Sequence, residues 1–274
     1  MRGLRRLTLP ILAVVLVAGL ALPAALPGGP RILLATTTST EDSGLLDYLL
    51  PRFTAETGIA VRVVAVGTGQ ALELGRRGDA DVVLTHAPRA EQRFLAEGHA
   101  ANRTPVMFNQ FVLAGPASDP AGVRGGIDIA HAFGRIAACA CPFVSRGDGS
   151  GTHVKELELW DLTGSRPSPS GWYKEAGQGM GATLRIADQL NGYTLSDDGT
   201  FFTMGDRIGL VVIVENDPRL LNQYSVMPVN PAMHPSVHFD LAQRFAAWVT
   251  GAAGQSLIAS YVVRGRPIFT PNAP

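Results

Sequence analysis

The nine residues SRGDGSGTH, Ser145 to His153, combine a fixed positive charge at Arg146, an acid two places on at Asp148, and a glycine-rich turn at Gly147, Gly149 and Gly151. Two hydroxyls, Ser150 and Thr152, complete the stretch, which runs into the helical pattern KELELW. Glycines let backbone N–H groups approach an anion closely, hydroxyls add donors, and the first turn of a helix leaves N–H groups unpaired beside a partial positive charge. Arg146 supplies charge-assisted donors, and Asp148 is placed to hold the guanidinium in one orientation. The same letters also read as a plain helix start, with Ser150 or Thr152 as N-cap and the arginine on the surface. Taken alone, the stretch leaves both readings open.

Upstream, the figure of strand, hydroxyl or glycine turn, and helix repeats. Ile32 to Ala35 is a short apolar run suited to a buried strand, and it breaks into Thr36, Thr37, Thr38, Ser39 and Thr40. Leu45, Leu46, Leu49, Leu50 and Phe53 then recur at helical spacing as far as Gly58, a C′ glycine, with Pro51 predicting a kink. Thr38 with Glu41 matches a capping box, which accounts for one hydroxyl of the run. The surplus stands at a strand-to-helix junction, where α/β sheets bind ligands. Ile59 to Val66 is a β-branched strand before the turn Gly67-Thr68-Gly69-Gln70 and a short helix. Asp81 to Leu84 runs into Thr85-His86-Ala87-Pro88 and a helix ending at Gly98; His86, a lone histidine after a strand, reads first as a structural hydrogen-bonder.

Val106 to Leu113 is a further β-rich run, and the Gly/Pro/Asp-rich segment Gly115 to Gly126 marks a lobe boundary. A helix from Ile127 to Phe133 and a strand from Arg135 to Val144 are expected to lead into the anion motif. Cys139 and Cys141 would lie on one face of that strand, poorly placed to bond each other, as small buried residues. No second cysteine or histidine cluster completes a metal site. Ala176 to Ala182 is a fourth glycine turn before a helix from Thr183 to Leu190. Gly177, Gly179 and Ala182, with Asp197 further on, fit a dinucleotide fingerprint loosely, but the preceding strand is weak. Phe201 to Val214 reads as an apolar strand region and Tyr224 to Val229 as a return crossing. The last helix places Leu241, Phe245, Trp248 and Val249 on one face, and Tyr261 to Phe269 reads as a closing strand.

The chain of 274 residues is 46% hydrophobic and 17% charged, with 23 basic and 23 acidic residues, so nothing in the charge balance suggests a nucleic-acid or anionic-membrane partner. Two cysteines exclude a disulfide scaffold. Arg2, Arg5 and Arg6 precede the apolar run Leu7 to Leu22, and Ala24 and Ala25 precede the breakers Pro27 to Pro30, the pattern of an export signal over residues 1–30. An uncleaved anchor is the alternative, because Leu7 to Leu26 approaches the length that spans a bilayer. Removing residues 1–30 takes three arginines and no acid from a neutral chain, leaving −3. A mildly acidic exported protein that binds an anion does so through a local pocket rather than its overall field.

The segments TTTSTEDSGLLDYLLPRF, VVAVGTGQALELG, GDADVVLTHAP, PFVSRGDGSGTHVKELELW, WYKEAGQGMGATLRIADQ and YTLSDDGTF together resemble the tungstate-binding, TupA-type substrate-binding proteins of ABC importers, in order from Arg31 to Asn272. The resemblance implies an α/β fold of the type II periplasmic-binding-protein class, with two lobes joined by two crossing strands and closing on an oxyanion. The lobes would comprise 31–112 with 223–274, and 113–222. It also implies tungstate or a similar oxyanion as ligand, no cofactor, a monomer at the extracytoplasmic or periplasmic face of the membrane, and an ABC permease with its cytoplasmic ATPase as partners. SRGDGSGTH is similar as well to the anion loop of phosphate-binding proteins, which implies contacts from Arg146, Ser150, Gly151 and Thr152, with Asp148 orienting Arg146. The matching first-lobe loops imply Thr38, Ser39 and Thr68, and the fourth turn implies the backbone amides of Gly179, Met180 and Gly181. Where many relatives have GDD, this chain has GDG at Gly147 to Gly149, a departure expected to remove no ligand contact.

Each of these contacts is a donor, which suits an oxyanion without a proton: tungstate, molybdate or sulfate. Hydrogen phosphate carries a proton that needs an acceptor, and an unmatched buried polar group costs roughly 1–3 kcal/mol, a factor on the order of ten to a hundred. Asp148 would be that acceptor if Arg146 did not occupy it. Tungstate and molybdate are nearly alike in size and charge, so the choice between them rests on the resemblance. The competing class is a hydrolase with Ser150 as nucleophile and His153 or His86 as base, but Ser150 does not sit in G-x-S-x-G, and a histidine three residues along a helix is poorly aimed at it. A sensor module passing its liganded state to a membrane receptor would use the same cleft.

Overall fold

The computed structural model describes residues 29–274; all but the last two residues of the expected export signal lie outside them. Strand β1 (Arg31–Thr37) leads into a short helix α1 (Thr38–Asp42) and then α2 (Leu45–Thr57). Two further units follow: β2 (Ala60–Val66) with α3 (Thr68–Arg76), and β3 (Val82–Thr85) with α4 (Pro88–Ala96). The long strand β4 (Thr104–Gly115) crosses to α5 (Ile129–Ala138), β5 (Phe143–Ser145), α6 (Gly151–Asp161), β6 (Tyr173–Glu175), α7 (Met180–Gln189), β7 (Thr194–Asp197), α8 (Asp198–Met204) and β8 (Val211–Val214). Strand β9 (Leu221–Pro228) returns to α9 (Phe239–Thr250), α10 (Ala252–Ser260) and the two-residue strands β10 (Val262–Val263), β11 (Arg266–Pro267) and β12 (Thr270–Pro271).

Two strands carry the architecture. β1 pairs in parallel with β2 and β3, as strand-helix-strand units require. β9 then runs antiparallel to β3 through Ser225–Pro228 and to β4 through Leu221–Val226. The distal half of β4, from Phe111 onward, pairs instead with β7 and β8. Side chains change core partners at the same places. Met107 and Tyr224 belong to the cluster of Leu34, Phe53, Leu84 and Phe245, whereas Phe111 and Leu220 belong to that of Phe133, Phe143, Trp160 and Tyr193. The result is two α/β lobes joined by two adjacent crossing strands, the type II periplasmic-binding-protein fold.

Several expected elements shift. The first N-cap is Thr37, whose hydroxyl accepts from Thr40 N–H, not Thr38 with Glu41: the strand ends at Thr37 in the extended conformation a cap needs. Helix α2 runs through Pro51, whose ring is exposed, and ends at Gly58 in the left-handed region. The expected strand from Arg135 is the second half of α5, and Cys139 and Cys141 are disulfide-bonded. Cys139 caps the helix and Ala140 takes φ +48, which turns the chain and leaves the two Cα atoms 5.1 Å apart, within disulfide range. Phe201 to Arg207 is helical, because Asp197 caps α8 through Thr200 N–H at 2.8 Å and Phe201, Met204 and Ile208 bury at helical spacing. The closing strand from Tyr261 is replaced by the β10–β11 hairpin, and β12 closes on β4.

Phe53 is fully buried, edge-on to Phe245 at 5.2 Å and to Trp248 at 5.3 Å, so α2 and α9 share one aromatic joint. Phe53→Ala should destabilise the fold by about 3–5 kcal/mol in denaturant unfolding. A loss under about 1 kcal/mol would show that this joint does not organise the first lobe.

Candidate functional site

Arg146 follows β5, and its side chain is only 2% exposed. Its Nε donates to Asp148 Oδ2 at 3.1 Å, and Nη2 donates to the same oxygen. The other carboxylate oxygen of Asp148 accepts from Ser150 N–H at 3.0 Å. Burial raises the Asp148 pKa, but the Ser150 hydrogen bonds and the Arg146 charge outweigh it, and the carboxyl is held below its usual range. Asp148 is thus ionised and engaged at both oxygens. Arg146 Nη1, by contrast, is buried with no partner among the described residues, as is the hydroxyl of Thr152. Buried donors of this kind are expected to meet a partner, and both belong to the anion motif.

The motif folds as its glycines dictate. Gly147 (φ +59) and Gly149 (φ +69) are left-handed, and a Cβ on Gly147 would lie 2.5 Å from Glu175 Cβ. Ser150 is the N-cap of α6 and accepts from His153 N–H at 3.3 Å, so the capping reading and a position in the cleft hold together. Beneath the loop, Glu156 Oε1 accepts from Tyr173 O–H at 2.7 Å and Trp160 Nε1–H at 3.0 Å, and the carboxyl also meets the Ser145 hydroxyl and the Arg146 N–H. Burial pushes its pKa up to about 7.

On the first lobe the surplus hydroxyls are almost all committed internally. Thr36 donates to Leu84 C=O, Thr37 caps α1, Thr40 bonds Thr37 at 2.6 Å, and Ser39 bonds His86 Nε2 at 3.0 Å. Of this run only Thr38 lines the cleft, and Ser39 keeps its backbone N–H in the first turn of α1. Thr68 Oγ1 accepts from Gly151 N–H at 2.9 Å, a bond between the first turns of α3 and α6. The Gly151 amide, expected as a ligand donor, is therefore spent on closing the cleft, while the Thr68 hydroxyl proton remains free. Met180 is fully buried in the second-lobe core, so it too offers only an amide, and the Gly181 N–H faces the Asp42 carboxyl.

A cavity of about 460 Å3 lies between the lobes, lined by Thr38, Gly67, Arg146, Asp148, Gln178 and Gly179 among others. Its lining stands at or just before the starts of four helices, two from each lobe: Thr38 of α1, Gly67 and Gly69 at α3, Gly149 before α6 and Gly179 before α7, and helix starts add unpaired N–H groups and partial positive charge. Gln70 and Gln178 also line it; each is a polar letter in a glycine turn, a signal the sequence contains but that the reading of those turns passed over. Glu156 carried a weaker signal, its spacing of four from Trp160.

A carboxyl whose folded pKa is raised favours its neutral form, so its contribution to stability falls as pH rises from the ordinary 4.5 to about 7. Wild-type stability should therefore fall relative to that of Glu156→Gln across this window, measured by denaturant unfolding at stepped pH. A difference that stays flat from pH 4 to 8 would remove Glu156 from its place under the loop.

A sequence profile described as PBP superfamily domain matches residues 24–253. The tungstate-binding protein TupA of Peptoclostridium acidaminophilum is 49% identical over 246 residues, covering 88% of this chain and 86% of that protein. Among solved structures, the tungstate-binding protein TupA from Desulfovibrio alaskensis G20 is 47% identical with a TM-score of 0.75, covering 89% of this chain and 100% of that one. The tungstate ABC transporter structure from Geobacter sulfurreducens is 46% identical with a TM-score of 0.79, covering 84% and 98%. With the two-lobed fold and the donor-lined cleft, these likenesses make the chain a member of the periplasmic-binding-protein superfamily, in the family of the TupA substrate-binding proteins.

Proposed function

We propose that this protein captures tungstate outside the cytoplasm and delivers it to an ABC importer. The observation that carries the reading is a cavity bordered by the starts of four helices and by Arg146, whose Nη1, like the Oγ1 of Thr152, is buried without a partner among the described residues. The ligand contacts are the hydroxyls of Thr38, Thr68, Ser150 and Thr152, the Arg146 guanidinium, and the amides of Ser39, Gly179 and Met180. Gly151 and Gly181 serve closure and Asp42 instead. The change of core partner falls between Met107 and Phe111 on β4 and between Leu220 and Tyr224 at β9, which supports a first lobe boundary a few residues before the expected 112/113 and a second near 222/223. Export through residues 1–30, a monomeric state, a permease partner and its ATPase complete the reading, which the family relationship supports.

The assigned contacts face the anion as donors; the acceptors left in the cleft are hydroxyl oxygens and the Gln70 and Gln178 amide oxygens, weaker partners for a proton than a carboxylate. Asp148 has both oxygens engaged, so it offers no acceptor to the proton of hydrogen phosphate. The hydrolase alternative loses its bases: His153 Nδ1 accepts from Gly149 N–H at 2.9 Å, and His86 Nε2 is taken by Ser39. Binding without chemistry is the simpler use of this cleft.

Calorimetric titration of the chain from residue 31, stripped of anions, with tungstate, molybdate, sulfate and phosphate should give tight one-to-one tungstate binding, with phosphate weaker by at least about tenfold. Arg146→Ala should weaken tungstate by on the order of a hundredfold or more, since it removes the charge that faces the anion and leaves the Asp148 carboxylate without its counter-ion. Phosphate bound as tightly as tungstate would sink the donor reading. An Arg146→Ala loss no larger than that of His86→Ala would sink the site as drawn.

A further inference from the structure

Seven buried or half-buried polar side chains form one continuous hydrogen-bonded chain from the anion-facing loop of the first lobe, through both crossing strands, into the second lobe. Thr40 Oγ1 lies 2.6 Å from Thr37 Oγ1, which lies 3.1 Å from Ser39 Oγ. Ser39 Oγ is 3.0 Å from His86 Nε2, and His86 Nδ1 is 2.9 Å from Asn222 Oδ1. Asn222 Nδ2 donates to Asn109 Oδ1 at 2.8 Å, and Asn109 Nδ2 donates to Asp198 Oδ1 at 2.6 Å. Asn109 and Asn222 are register partners on β4 and β9, the two strands that join the lobes. Asp198 opens α8, whose Thr200 hydroxyl reaches back to Ser39 C=O at 3.5 Å.

The direction of donation is determined from one end. An ionised carboxylate only accepts, so Asn109 must turn its amide N–H to Asp198 and its carbonyl to Asn222. Asn222 must then turn its carbonyl to His86, which places the imidazole proton on Nδ1 and leaves Nε2 a lone pair. Ser39 is obliged to donate to Nε2, and Thr37 and Thr40 follow in turn. Burial keeps the ring neutral, with its pKa lowered to about 4, and Tyr224 stacks on it at 4.8 Å. Chains aligned in one sense polarise each bond in turn, so the two ends are coupled.

We propose that Asp198, through Asn109, Asn222 and His86, sets the donor direction of a buried hydrogen-bond chain that fixes the Ser39 turn, making Asp198 and His86 positioning residues for oxyanion binding. Neither lines the 460 Å3 cavity, and both act through Ser39. The inference rests on the oxyanion-binding reading for its effect on affinity, but its structural part does not.

Nitrogen-15 NMR of the imidazoles should be recorded at pH 8, above the pKa near 7 to which burial and Asp197 raise Asp198. His86 should carry its proton on Nδ1 in the wild type, and Asp198→Asn, isosteric but able to donate or accept, should abolish or mix that preference. By calorimetry with tungstate, Asp198→Asn and His86→Ala should each weaken binding about tenfold, and the double variant should be no weaker than His86→Ala alone. Asn109→Ala, which cuts the chain at the hinge, is the second variant if Asp198→Asn does not fold. A wild-type proton on Nε2, an unchanged tautomer in Asp198→Asn, or additive losses in the double variant would each overturn the proposal. If the wild type bound no oxyanion, the functional reading would fail and the tautomer measurement alone would decide the chain.

Discussion

A guanidinium that is 2% exposed must be compensated, because an unpaired buried charge costs several kcal/mol, and the second lobe is built around meeting that demand at Arg146. Asp148 supplies the opposite charge from two residues away, which is possible only because Gly147 and Gly149 turn the chain through left-handed conformations. Glu156, Tyr173 and Ser145 hold the backbone underneath. One nitrogen is still left over. The protein neutralises the charge internally but does not exhaust its hydrogen-bonding capacity, which is the condition for a site that is stable unliganded and still attractive to an anion.

The first lobe solves the opposite problem, that of too many hydroxyls. A run of five would be a sticky, poorly ordered surface if each faced the cleft. Instead four are tied to the sheet, to the cap of α1 or to His86, and Thr38 alone is presented. The committed hydroxyls set where the exposed one and the neighbouring amides stand. The same economy appears across the cleft, where the Gly151 amide and the Thr68 hydroxyl meet each other and the two helix starts are held at a defined separation.

The strand-turn-helix figure was legible because it rests on local physics: apolar runs of strand length, glycines where the backbone turns sharply, and periodicity in the helices. It placed β1, β2, β3, β4 and β9 and every turn that reaches the cleft. It failed where two local signals competed. At Phe201 to Arg207 the apolar run suggested a strand, but Asp197 capped a helix in which the same residues bury at helical spacing. At Arg135 to Cys141 the choice between strand and helix also decided whether the two cysteines could bond. Of the candidate contacts, Gly151, Gly181 and Ser39 were read as ligand contacts because nothing in sequence shows a competing partner 47 or more residues away.

Legible in the sequence were the residue types that reach the cleft: an arginine with its acid, and donor-bearing hydroxyls and glycine turns at four helix starts. These follow from neighbours within a few positions, so backbone geometry and side-chain chemistry suffice to read them. Which donors stay free is settled by the folded chain. Thr68 finds Gly151, Ser39 finds His86, and Asn109 finds Asn222 and Asp198 through the crossing strands and lobe closure. Hydrogen bonds act over about 3 Å regardless of sequence separation, so their allocation exists only once the chain has folded.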